Sequence, residues 1–283
     1  MANYQHSKEL TELTLGKKTN YSSKYNADLL QAVPRSLNRN DLKLNNKNLP
    51  FTGEDVWYGY ELSWLNSQGK PVVAVAEFRF ACTSPNLVES KSFKLYLNSF
   101  NQTKFDSWQQ VEAILTADLS STSGEKATVS LFKVDKCPEL AIANVKAECI
   151  DELDINITSY DYQSAILSEV QAENGELKEE YLVSHLLKSN CLITNQPDWA
   201  SVYIKYKGKA LDHKTLLKYI ISFREHNEFH EQCVERIFTD LNTFCELTEL
   251  TVFARYTRRG GLDINPFRST HEFTAPNLRT LRQ

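Results

Sequence analysis

Seven residues of this chain recur at one fixed offset of 123 positions. Lys91, Tyr96, Ser99 and Phe100 return as Lys214, Tyr219, Ser222 and Phe223, and Val111, Glu112 and Ile114 return as Val234, Glu235 and Ile237. A period of that length requires one supersecondary unit to be built twice, so the fold must accommodate two copies of it. The flanking patterns agree. In the first half, alternating β-branched and aromatic residues predict strands at about 55–65 and 71–80, with Asn66-Ser67-Gln68-Gly69-Lys70 as the turn between them. Helices are predicted around 88–100 and 106–119, then a strand near 126–132. The second half predicts strands at about 181–188 and 199–207, helices at 212–225 and 230–244, and strands at 247–256 and 262–273. The expectation is an α+β fold of two β-β-α-α-β-β units, with helices on one face of antiparallel sheets. Such a unit leaves a sheet edge open, which suits assembly into a closed ring of sheets.

The expected division is residues 1–150 and 151–283. Between the halves, residues 151–180 hold nine acids against the single base Lys178, and read as a solvated connector. Residues 1–50 are polar and weakly periodic, and read as an extended arm with one short helix near Asn26-Ala27-Asp28-Leu29-Leu30.

With 41% hydrophobic and 24% charged residues the chain has the composition of a soluble globular protein, and no apolar run approaches a membrane span. The start, Met1-Ala2-Asn3-Tyr4-Gln5-His6, lacks a basic region followed by an apolar core, so no signal peptide and a cytoplasmic location are expected. A net charge of −4 argues against a nucleic-acid-binding surface. The six cysteines, Cys82, Cys137, Cys149, Cys191, Cys233 and Cys245, form no Cys-x-x-Cys pair and read as free thiols.

The halves share a scaffold but differ in reactive residues, which points to one site assembled across both. In the second half, Ser189-Asn190-Cys191-Leu192-Ile193-Thr194-Asn195-Gln196-Pro197-Asp198 puts a thiol and a carboxyl seven residues apart. Pro197 breaks the run, so both groups are expected on a loop between two strands. The ordinary alternatives are a buried apolar cysteine and a turn or cap aspartate. In the first half, Glu89-Ser90-Lys91-Ser92 sits at a predicted helix start, where amide hydrogens face an acceptor; an exposed first turn is the plain alternative. Phe229-His230-Glu231 also opens a helix, and its ring, imidazole and carboxylate suit a flat heterocycle as well as they suit a capped helix. His226, His230 and Cys233 have helical spacing, which keeps zinc open, although Val234 rules out His-Glu-x-x-His. No Gly-x-Gly-x-x-Gly occurs, so any dinucleotide would lie elsewhere than on a Rossmann turn. Thr257-Arg258-Arg259-Gly260-Gly261 is the remaining phosphate candidate, or simply a basic hairpin turn.

Together Glu89-Ser90-Lys91-Ser92-Phe93-Lys94-Leu95-Tyr96, Ser189-Asn190-Cys191 with Gln196-Pro197-Asp198, Phe229-His230-Glu231 and Arg258-Arg259-Gly260-Gly261 resemble the NADPH-dependent 7-cyano-7-deazaguanine reductases of queuosine biosynthesis, in their longer two-module form. The likeness covers nearly the whole chain. It implies the tunnelling fold, a homodimer, NADPH as cofactor, and reduction of the nitrile to 7-aminomethyl-7-deazaguanine by two NADPH through a cysteine thioimide, without metal. It further implies catalytic roles for Cys191, Asp198 and His230, and substrate contacts from Val88, Glu89, Ser90, Phe229, His230 and Glu231. Cofactor contacts are implied for Ser90, Lys91, Arg259 and Gly260. Alternatives are a zinc-dependent cyclohydrolase-like member of the same fold, a purine-binding module acting with tRNA, and a cysteine hydrolase releasing ammonia.

Overall fold

The computed structural model describes residues 21–136, 141–171, 175–272 and 274–283. In chain order it contains β1 (Ala32–Pro34), α1 (Ser36–Asp41), β2 (Thr52–Leu65), β3 (Pro71–Ala81), β4 (Asn86–Val88), α2 (Ser90–Ser99), α3 (Trp108–Ser123) and β5 (Thr128–Phe132). There follow β6 (Glu148–Cys149), β7 (Leu177–Ser184), β8 (Lys188–Asn190), β9 (Pro197–Lys209), α4 (His213–Ser222), α5 (His230–Phe244), β10 (Leu247–Tyr256) and β11 (Leu262–Ser269).

The main sheet runs β5-β3-β2-β11-β10-β9-β7-β6, antiparallel except for the parallel β6–β7 pair. The seam between the halves is the β2–β11 ladder, from Thr52↔Ser269 to Gly59↔Leu262. Strand alternation sorts the sheet into two faces. Trp57 joins Phe78, Phe93, Tyr96 and Leu115 under the first helix pair, while Val202, Ile204, Val252 and Ala254 pack under Leu217, Ile220, Ile237 and Leu241 of the second. Val56, Tyr58, Tyr203, Phe253 and Phe267 point the other way, toward Ala275 and Leu278 of the C-terminal segment. The α+β architecture with helices on one face is therefore present, as one continuous sheet.

The internal echo has a physical counterpart. Tyr96 donates to Asp118 at 2.6 Å and Tyr219 to Asp240 at 2.6 Å. Each carboxylate also accepts from a tyrosine upstream, Tyr25 at 2.7 Å and Tyr162 at 2.6 Å. Ser99 and Ser222 close the helix ends by donating to the carbonyls of Tyr96 and Tyr219. The repeated positions therefore include the donors of two matching hydrogen-bonded clusters.

Two expectations need correction. Residues 21–50 are not simply an extended arm: the predicted short helix is a 3-10 helix at Ala27–Leu29, but β1 pairs with β4, and Arg35 and Arg39 on either side of the start of α1 are buried. Nor is the acidic stretch all connector, because Leu167 of a 3-10 helix at Ser164–Glu169 and Val170, which caps that helix, are fully buried in the second core. Sparse apolar residues in a polar stretch give no periodicity, yet each segment is anchored at several of them. Phe273, at the end of the last predicted strand, lies outside the described residues, as does Cys137.

Candidate active site

The β8–β9 hairpin carries the thiol. Its register sets Ser189 opposite Asp198 and Asn190 opposite Pro197, which leaves Cys191–Gln196 as the loop. The Cys191 amide donates to the Gln196 carbonyl at 2.8 Å, and the Asn195 amide to the Cys191 carbonyl at 3.1 Å. Asn195 takes φ 56°, a left-handed conformation that asparagine tolerates better than most residues. Asp198 is not on the loop, as the sequence suggested, but is the second residue of β9. Pro197 starts the strand rather than interrupting it, since a first position needs no ladder donor. Asp198 thereby inherits the rigidity of the sheet.

A second set of bonds ties this hairpin to the segment leading into α5. The Asn190 amide donates to the His226 carbonyl at 2.8 Å, and the Glu228 amide returns to the Asn190 carbonyl at 3.0 Å. Phe229, His230 and Glu231 follow at once, at the start of α5, as expected. His230 Nε2 lies 3.1 Å from Asp198 Oδ1, and its ring stacks on Tyr256 with centroids 3.9 Å apart. Arg259 makes a close ion pair with the same Asp198 oxygen and donates to Gln196 Oε1 at 3.1 Å. Arg259 sits in a tight hairpin whose Gly260 and Gly261 have φ 60° and 78°, the values a two-residue I′ turn demands. The neighbouring Arg258 instead stacks on Tyr60.

The first half supplies the opposite wall. Glu89 caps α2, its carboxylate accepting from the amides of Lys91 at 2.8 Å and Ser92 at 2.7 Å. It is buried rather than part of an exposed first turn, and burial, opposed by those two amides, raises its pKa. Each oxygen accepts only one of these bonds, so lone pairs remain for a further donor. The residue before β1 clamps this corner, the Glu89 amide donating to the Gln31 carbonyl at 2.8 Å.

Val88, Glu89, Ser90, Cys191, Asp198, Phe229, His230, Glu231 and Arg259 line one recess, together with Val33, Trp57, Leu87 and Ile264. Lys91 lies one residue from that lining. Gly260 belongs to an adjoining recess with Lys94, Asn98 and Glu61. Among the predicted metal ligands, His226 bonds Glu228 at 3.1 Å, His230 faces Asp198, and Cys233 is buried in the second core. The three do not converge.

Sequence reasoning missed what lies behind the recess. Glu235 binds Arg39 at 2.7 Å and Arg268 at 2.8 Å, while Asp55 binds Arg35 at 2.5 Å and Arg268 at 2.8 Å, all nearly inaccessible to solvent. Burial would raise Glu235, but Arg268 and Arg39 outweigh it and hold the carboxyl at about 2. Burial, and then the Asp55 charge, push Glu231 up to about 7. Its folded pKa exceeds the usual 4.5, so its contribution to stability is full below pH 4.5 and is lost as pH rises through 7. Thermal melts should therefore fall between pH 5 and pH 8 more steeply for the native chain than for Glu231→Gln, by a difference on the order of a few kcal/mol. Parallel melting curves would contradict this assignment.

No helix among the described residues is long and apolar enough to cross a membrane. A family profile described as nitrile reductase, 7-cyano-7-deazaguanine-reductase N-term, matches residues 21–131, and one described as QueF-like protein matches residues 197–275. The NADPH-dependent 7-cyano-7-deazaguanine reductase of Colwellia psychrerythraea is 70% identical over 286 aligned residues, covering 100% of both chains. On that identity, and with both profiles matched, the chain belongs to the family of NADPH-dependent 7-cyano-7-deazaguanine reductases.

Proposed function

We propose that this chain reduces 7-cyano-7-deazaguanine to 7-aminomethyl-7-deazaguanine with two NADPH, by way of a thioimide on Cys191. The observation that carries this reading is the meeting of a thiol, an aspartate and two helix-start glutamates in one recess built from both halves of the chain. Asp198, fixed in β9, takes the Cys191 proton, and the sulfur adds to the nitrile carbon. The same proton passes from Asp198 to the nitrile nitrogen, giving a neutral thioimide. After reduction at carbon, the nitrogen lone pair expels the Cys191 thiolate and leaves an imine. Reduction of the imine and a further proton complete the amine, four electrons in all. His230, stacked on Tyr256 and facing Asp198, relays those protons in this reading.

Glu89 and Glu231 accept from the ring N–H and amino group of the base, and Phe229 and Val88 cover its faces. A base lacking those donors would leave buried carboxylates unpaired and is rejected. Ser90, Lys91, Arg259 and Gly260 are the cofactor contacts. Their fit rests on the donor set: the Arg259 guanidinium is 41% exposed and lines the same recess as Ser90, and a Cβ at Gly260 would come within 2.7 Å of Lys94 Nζ. When bound, NADPH supplies hydride. The wider reading is a tunnelling-fold homodimer of two units, 1–150 and 151–283, acting in the cytoplasm on the free base and not on nucleic acid.

Stoichiometry tests the reaction. Two NADPH should be consumed per nitrile; one per nitrile, or ammonia release without NADPH, would overturn it. Asp198→Asn keeps the strand but cannot shuttle the proton, so kcat should fall about 10²–10⁴-fold with KM little changed. An Asp198→Asn enzyme at full rate would remove this carboxyl from the chemistry.

A further inference from the structure

Cys149, Asp151 and His185 each offer a ligand atom within 4.8 Å of the other two, and none of them lines the recess. We propose that they form a binding site for a divalent cation of the zinc class. The trio is assembled by topology: β6 lies parallel to β7 with Cys149 opposite Val183, so Asp151 and His185 both emerge just past the same end of the pair. Two of the three side chains have orienting partners. Asp151 Oδ1 accepts from Ser184 Oγ at 2.7 Å and Oδ2 from the His185 amide at 2.9 Å. His185 Nδ1 lies 2.8 Å from the buried Ser201 Oγ, which leaves Nε2 as the ligating nitrogen.

The donor set decides the metal. A thiolate with an imidazole selects zinc over magnesium or calcium, which take oxygen ligands. Three protein ligands leave a fourth tetrahedral position to water. Bonds of about 2.0–2.3 Å put tetrahedral ligand atoms about 3.5 Å apart, so the trio must close by about an ångström. Cys149 and His185 are exposed and have the freedom to do so. The cation would pin a two-residue strand, held by two register pairs, to β7 and, through Ser201, to β9.

Cobalt(II) titration in a Cys191→Ala background tests this, because cobalt adopts zinc's geometry and reports a thiolate ligand by a charge-transfer band. The parent should bind one cobalt with that band and visible four-coordinate bands, displaced by zinc. Cys149→Ser should lose the charge-transfer band, and His185→Ala should weaken binding at least tenfold, circular dichroism confirming that both fold. Ser201→Ala, which removes only the orienting partner, should weaken binding about 10–100-fold. No charge-transfer band in the parent, or an undiminished one in Cys149→Ser, would overturn the site.

Discussion

Replacing Cys191 with alanine should lower nitrile-dependent NADPH oxidation by about 10⁴-fold or more while the base still binds within about threefold. The asymmetry follows from how the recess divides its work. Recognition rests on Glu89 and Glu231, each held by its own helix start, and neither depends on the sulfur. Bond formation rests on one atom. Cys233, the next cysteine in the chain, is buried in the second core, where burial pushes its thiol up to about 12, so it cannot stand in. The loop should survive the change, because it is closed by backbone bonds from Cys191 to Gln196 and from Asn195 to Cys191. Isothermal titration with the base, beside turnover assays, checks both halves. Residual activity above about 1% of the native rate would assign the nucleophile elsewhere.

Glu235→Ala should destabilise the chain by about 3–5 kcal/mol. Glu235 stands between Arg39 and Arg268, with Arg35 at 3.7 Å, and all three guanidiniums are at most 3% exposed. Asp55 pairs with Arg35 and Arg268, so removing Glu235 leaves Arg39 without a carboxylate and three buried cations facing one anion. Removing one partner of a buried cluster is costly because the others stay desolvated. Glu235→Gln keeps the shape and two hydrogen-bonding atoms, and should lose less. Urea unfolding of both variants is the check, and a loss below about 1 kcal/mol for the alanine would mean that water reaches the cluster. The network links α1, β2, α5 and β11, so a loosened fold should also weaken base binding through Glu231.

The repeat, the strand periods and the helix starts made the architecture legible from residues alone. Local chemistry was legible where it stays local. Glu89 and Phe229-His230-Glu231 stand at helix starts because caps and periodicity are short-range signals. Asp198 was misplaced onto the loop because a proline before it reads as a break, whereas in space it opens a strand. Arg35, Arg39, Asp55, Glu235 and Arg268 gave no signal of their pairing: a charged residue looks the same in sequence whether it is solvated or paired in a core. Glu235 illustrates this best, since it repeats Glu112, yet Glu112 is exposed and Glu235 is buried. The echo reports a shared helix pattern, and the ion pairs from Arg39 of α1 to Glu235 of α5 and from Asp41 to Arg236 give the second copy its different use.

The most direct measurement is the intact mass of the protein after incubation with 7-cyano-7-deazaguanine and no reductant. Addition of sulfur across the triple bond loses no atoms, so the mass should rise by that of one base per chain, with the label mapping to Cys191 and absent in Cys191→Ala. An unchanged mass in a preparation that turns over once NADPH is added, or an adduct that persists in Cys191→Ala, would contradict covalent catalysis by this thiol.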